Sequence, residues 1–169
     1  MFDLINGLPV HPLVLHGFVV FGPLAALAAI AYVVRPAWRA AMFWPTVVVA
    51  GLAAVTAFLA KESGEQLEER LLPIATAAQA ELIHEHAELG DVAGAVGVLF
   101  GLLTIAVVWL LMPGVKPPFL ALKRSFPPVV TTLAGVLVAG LAVAMVVVVV
   151  LAGDSGASAA WRELISQTG

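Results

Sequence analysis

The hydrophobic positions of this chain fall into four long runs, at about residues 12–34, 41–60, 92–112 and 129–152. A helix needs about 20 apolar residues to cross a bilayer whose hydrocarbon core is ~30 Å thick, and each run is long enough. The last run has only Thr131 and Thr132 as polar side chains, so it lacks the polar stripe of a soluble helix. The pattern predicts an all-α integral membrane protein, in which residues 1–169 form a single domain built as a four-transmembrane-helix bundle.

The segment between the second and third runs is polar but keeps a helical spacing. Within it, Leu82, His86 and Leu89 share one helical face, whereas His84 falls on an acidic face. This spacing predicts a short extramembrane amphipathic helix, with His86 directed into the bundle and His84 into water. His16 lies about one turn inside the first run, and we expect it to point inward as well.

The ends of the second and fourth runs are similar to each other. Leu59-Ala-Lys-Glu-Ser-Gly-Glu65 and Leu151-Ala-Gly-Asp-Ser-Gly-Ala157 share four identical residues, and Glu62 matches Asp154. Duplication of a helical hairpin would give such a match, and so would chance in a sequence of simple composition. Two repeated hairpins are therefore a hypothesis that the structure can test.

Charge is segregated between the two ends of the predicted bundle. All 11 carboxylates precede the first run, lie between the second and third, or follow the fourth. The histidines lie at this acidic end, and they are His11, His16, His84 and His86. The other two loops contain basic residues and no acid: Arg35, Arg39, Lys116, Lys123 and Arg124. Because Lys and Arg favour the cytoplasmic side of a membrane, we expect both termini outside.

Composition also excludes several classes of function. The chain has no cysteine, which excludes disulfides, iron–sulphur clusters, thiolate-ligated haem and c-type haem attachment. No basic patch indicates nucleic-acid binding, and no set of nucleophile, base and orienting group is evident. An enzyme is therefore less expected than a binding or structural protein, and the lipid bilayer is the first predicted partner.

Three interpretations of the acidic end remain open. The first is one b-type haem near the outer face with His16 and His86 as axial ligands, in an accessory or electron-transfer protein. The second is a divalent zinc or iron site, because imidazole and carboxylate ligands suit these metals. Its candidate ligands are His11, His16, His86, Glu62, Glu65 and Asp154. The third is a cofactor-free structural subunit of a respiratory or other membrane complex.

The opening Gly7-Leu-Pro-Val-His-Pro-Leu-Val-Leu-His16 resembles the start of a bacterial four-span membrane family, the domain of unknown function 2231. Ser63-Gly-Glu65 and His86-Ala-Glu-Leu-Gly90 resemble later elements of the family, as does Gly153-Asp-Ser-Gly-Ala157, where many members have histidine at the place of Asp154. The resemblance covers nearly the whole chain and implies a multi-pass protein of the bacterial cell (inner) membrane with no settled activity. Some members are joined to Rieske-type iron–sulphur domains, which implies a setting in respiratory electron transfer.

Overall fold

A computed structural model describes residues 4–5, 7–112 and 127–166, and four long helices account for most of them. Each of the four is long and apolar enough to cross a membrane, which confirms the predicted all-α four-helix bundle. Their bounds are α1 Val10–Val34, α2 Arg39–Leu71, α3 Ala77–Leu111 and α4 Pro128–Ser166. The second basic loop, with Lys116, Lys123 and Arg124, lies outside the described residues.

Short turns join α1 to α2 and α2 to α3. Two antiparallel strands of two residues each, Leu4–Ile5 and Leu8–Pro9, precede α1. The chain turns between them near Gly7, whose φ of 82° favours glycine. A 3-10 turn at Pro36–Trp38 connects α1 to α2, and another at Leu72–Ile74 ends α2. These turns are too short for anything but antiparallel neighbours.

The helices at the acidic end extend well beyond the predicted spans. The 33 residues of α2 give a length of about 50 Å, compared with a hydrocarbon core of ~30 Å. The segment expected to form a separate amphipathic helix is helical, but it consists of the last turns of α2 and the first turns of α3. The break comes later than hydropathy indicates, at Pro73 and at the capping box that Thr76 forms with Gln79.

Small residues fill the interior of the bundle. Each helix packs against two neighbours, in the circular order α1, α2, α3, α4. A Cβ added to Gly101 would lie 2.6 Å from the Ala50 carbonyl oxygen, and one added to Gly97 would lie 2.7 Å from the Ala57 Cβ. Lipid provides no hydrophobic drive between helices, so close backbone approach of this kind supplies the packing.

The two hairpins, α1–α2 and α3–α4, bury matching positions. A shift of 75 residues relates α1 to α3, and a shift of 92 relates α2 to α4. In the first pair of helices the matched buried positions are Phe18/Ala93, Gly22/Gly97, Ala25/Phe100, Ala26/Gly101, Ala29/Thr104 and Tyr32/Val107. In the second pair they are Phe43/Gly135, Thr46/Val138, Ala50/Ala142, Ala53/Met145, Ala57/Val149 and Ala60/Ala152. The repeat suspected from a seven-residue match therefore extends over much of the packed face of each helix.

Candidate functional site

A cavity of about 630 Å³ lies at the acidic end and is bounded by all four helices. Its volume falls within the range of about 300–1,000 Å³ that is typical of small-molecule sites. Most of its lining is apolar, and several lining positions are glycine or alanine. Its polar lining side chains are His11, His16, Lys61, Glu65, Glu68, Gln79, His86 and Asp91.

His11, in the first turn of α1, is held against α2. Its Nδ1 lies 3.0 Å from the Ala60 carbonyl oxygen and 3.3 Å from Ser63 Oγ. A carbonyl oxygen only accepts, so His11 carries its proton on Nδ1, and the neutral ring has its lone pair on Nε2. Gly64 makes this approach possible, because a Cβ there would lie 3.1 Å from His11 Cε1.

His86, in α3, is held against α4 in the same way. Its Nδ1 lies 3.0 Å from Ser155 Oγ, which itself donates to the Ala152 carbonyl oxygen at 3.0 Å. Because that bond uses the hydroxyl proton, Nδ1 of His86 is the donor to Oγ, and Nε2 again has the lone pair. A Cβ at Gly156 would lie 2.9 Å from His86 Cε1. Each hairpin thus seats one histidine on the Ser-Gly pair of its second helix.

The rings of the two seated histidines lie next to each other. Their ring centroids are 6.1 Å apart, and the ring planes are inclined at 74°. Within the described part of the chain, neither Nε2 has a hydrogen-bond partner. The duplicated unit therefore places two imidazole rings, one from each hairpin, in the lining of a single, mostly apolar cavity.

The other two histidines are placed differently. His16 is exposed, and its Nδ1 is hydrogen-bonded to the Pro12 carbonyl of its own helix. His16 is five positions after His11, a rotation of about 140° around the helix, so it lies at the edge of the cavity rather than opposite His86. His84 is exposed and contacts Glu68 and Glu88 at 3.4 and 3.5 Å, as the sequence predicted for a solvated residue.

The candidate carboxylates do not join the histidines. Glu62 and Asp154 are exposed, because each directly precedes an inward-facing serine and so projects about 100° away from it. Glu65 instead pairs with Lys61, whose Nζ also lies 2.9 Å from Asp91 Oδ1. Among the described residues, no three His, Cys, Asp or Glu side chains are grouped closely enough to hold a metal ion.

Two features of the site were not identified from the sequence. The first is the inward orientation of His11. This residue shares a helical face with Phe18, Gly22 and Ala25, which are all buried, and this spacing distinguishes it from His16. The Ser-Gly pairs were noticed as a repeat, but their contact with the histidines spans 52 and 69 positions of the chain and is not readable from local spacing.

Comparison with known proteins supports the membrane assignment. A family model described as Predicted membrane protein (DUF2231) matches residues 7–169. The chain belongs to this family. No match was found among curated proteins or among solved structures. The region shared with DUF2231 includes both histidine–serine units and all four helices.

Proposed function

We propose that this membrane protein binds one b-type haem in the cavity, with His11 and His86 as axial ligands, and acts as an electron-transfer or accessory component. The separation of the two rings carries the proposal. A metal bonded to one nitrogen of each ring at about 2.0–2.1 Å sets the two centroids roughly 6 Å apart. The 6.1 Å between His11 and His86 agrees with that value.

The number of donors favours haem over a zinc or non-haem iron site. Zinc sites use three or four protein ligands, whereas haem supplies four nitrogens of its own and needs protein ligands only at the two axial positions. His11 and His86 are two imidazoles without a third ligand from the described residues. Their Nδ1 hydrogen bonds are the outer-shell contacts that orient metal-ligating histidines and raise their basicity.

The chemistry of such a site is electron transfer. When bound, haem supplies a one-electron couple, and histidines on both axial positions leave no open position for a substrate. The whole chain has four histidines, all at the acidic end. One haem at that end cannot carry an electron across the bilayer, so its exchange partner would act from the same side. The proposal has three further parts: the exchange partner is a respiratory complex, the membrane is the bacterial cell membrane, and the acidic end faces outward.

Haem content is the test of this function. The full chain would be expressed with haem supplied, purified in detergent, and its haem quantified as the pyridine haemochrome. We expect one haem per chain, with a Soret band and sharp α and β bands after reduction by dithionite. A protein without visible absorption, prepared under the same haem-replete conditions, would overturn the proposal.

Labelling of single cysteines tests the orientation. Since the chain has no cysteine, His84→Cys at the acidic end and Ala37→Cys at the opposite end each introduce one exposed thiol. In intact cells, a membrane-impermeant maleimide should label the first variant and not the second. The reverse result would place the candidate site on the cytoplasmic side.

A further inference from the structure

The two hairpins meet along two interfaces, α2 with α3 and α4 with α1. Beside the cavity, the α2–α3 interface is closed by Lys61. Its stem packs on Gly94, where an added Cβ would lie 2.8 Å from Lys61 Cβ. Its Nζ bonds Glu65 of the same helix and lies 2.9 Å from Asp91 Oδ1 of α3. An aliphatic stem and a cluster of three charges therefore seal this side.

The equivalent positions leave the α4–α1 interface open. The shifts that relate the two hairpins place Gly153, Ala157 and His16 where the other interface has its ion-paired cluster. All three are exposed and also line the cavity. A Cβ added to Gly153 would meet no heavy atom within 4 Å, so nothing from α1 fills the space. The cavity thus has a lateral opening between α1 and α4, which we call the side opening.

The side opening is apolar apart from one hydrogen-bonding group. Val19 lines the cavity and is 43% exposed, and Val150, about one turn from Gly153, is 64% exposed. No charged side chain from α1 or from the described part of α4 lines the cavity. His16 donates from Nδ1 to the Pro12 carbonyl, so its Nε2 is an acceptor for a ligand. A molecule that fits must be lipid-soluble, uncharged and able to donate a hydrogen bond.

We propose that the side opening binds a lipid-soluble hydroquinone. Its flat ring would enter between α1 and α4, where Gly153 and Ala157 leave room, and one hydroxyl would donate to Nε2 of His16. The apolar walls suit the ring and its hydrocarbon tail. Among the described residues of α1 and α4, no cation lines the cavity, which disfavours an anionic lipid headgroup. The role of the hydroquinone rests on the proposed function, because it would be the molecule that reaches the haem. Its binding requires only the side opening.

The binding test uses the full chain in lipid nanodiscs, with empty nanodiscs as the blank. The probe is 2,3-dimethoxy-5-methyl-6-decyl-1,4-hydroquinone, kept reduced under argon, and binding is measured by equilibrium dialysis. Its dimethyl ether is the matched probe, because it keeps the ring and tail but has no hydroxyl donor. We expect saturable binding of the hydroquinone, and about five- to tenfold weaker binding of the ether, the effect of one lost hydrogen bond.

Two glycines of α4 provide matched variants. A Cβ at Gly153 or at Gly140 meets nothing within 4 Å, so a side chain can start at either position without a clash, but only Gly153 lines the cavity. Gly153→Leu should abolish saturable binding and Gly140→Leu should retain it. His16→Leu should weaken binding about five- to tenfold, and His16→Gln, whose amide oxygen accepts, should recover most of the loss.

The haem spectrum, recorded on every sample, separates this inference from the proposed function. Saturable binding that Gly153→Leu removes supports the side opening, whether or not the protein is coloured. No saturable binding to the wild type, or equal binding by Gly153→Leu and Gly140→Leu, overturns it even if the haem band is present.

Discussion

The two hairpins carry the same inward-facing unit but end in different surroundings. In both, a histidine of the first helix rests on a Ser-Gly pair of the second, and the two units meet at a ring separation of 6.1 Å. At the acidic end, one interface between hairpins is filled by Lys61, and the other is open at Gly153. The inward-facing histidine and Ser-Gly positions, which a ligand bound between the two halves would contact, are the same in both hairpins. The positions at the edge of the interfaces, Lys61 and Gly153, differ.

Two buried positions of α1 and α3 differ in side-chain size, and the two differences offset each other. Phe18 of α1 corresponds to Ala93 of α3, whereas Ala25 of α1 corresponds to Phe100 of α3, and all four are buried. One large and one small side chain are thus exchanged between the halves. Because interiors are closely packed, such a paired exchange preserves the filled volume where a single change would leave a cavity or a clash.

The largest predicted effect falls on the paired histidines. If the proposed haem is bound, His11→Ala and His86→Ala should each remove most of its absorbance, because each removes one of the two histidines that would hold it. His84→Ala, on the exposed face, is the control and should keep the spectrum. If His16→Ala bleached the protein and His11→Ala did not, the ligand assignment made here would be wrong.

Substitution of a glycine at a close contact between helices should have the next largest effect. Gly101→Ala should lower the free energy of unfolding by about 1–3 kcal/mol, because its Cβ would lie 2.6 Å from the backbone oxygen of Ala50. Gly140→Ala, with open space around its Cβ, is the control and should not be destabilised. Thermal unfolding of both variants in one detergent measures the difference, and equal melting temperatures would contradict the close packing of α2 on α3.

The serines should show a smaller and unequal effect. Ser155→Ala removes the 3.0 Å contact that orients His86, and haem affinity should fall about tenfold. Ser63→Ala should cost less, because His11 keeps the Ala60 carbonyl at 3.0 Å. Haem transfer to apomyoglobin ranks the two variants, and a larger loss in Ser63→Ala would show that the two units are not anchored as described.

Removing the charge of Lys61 should have the smallest effect. Lys61→Met keeps the stem on Gly94 and loses only ion pairs whose side chains are 30–55% exposed, so stability should change by no more than about 1 kcal/mol. Lys61→Gly, which makes this interface resemble the open one, should destabilise more. Thermal unfolding at low and high salt would separate the two contributions, and a salt-insensitive loss in Lys61→Met would count against the ion pairs.

The architecture could be predicted because apolar runs are the dominant signal in a membrane chain. Four spans and their antiparallel order follow from hydropathy and short turns. The end of α2 and the start of α3 could not be predicted in this way. Hydropathy indicates where an apolar span ends, whereas a helix ends or begins where proline and capping residues place its limit, here at Leu71 and Thr76. The last turns of α2 and the first turns of α3 therefore extend beyond the predicted spans, and both contribute residues to the cavity wall.

The candidate site was predicted in part. His86 was expected to face inward from its spacing with Leu82 and Leu89, and its ring does contact α4. For α1, depth in the span favours His16, whereas helical phase favours His11. The pairing of His11 with Ser63 depends on how α1 packs against α2, which no local pattern contains.

Electron paramagnetic resonance of the oxidised protein tests the central claim most directly. A ferric haem held by His11 and His86 should be low-spin, and ring planes inclined at 74° should give the strongly anisotropic signal of near-perpendicular imidazoles. The signal should disappear in His11→Ala and in His86→Ala alike. A high-spin signal, or the rhombic signal of parallel imidazoles, from the wild-type protein would contradict a haem shared by these two histidines in the geometry described.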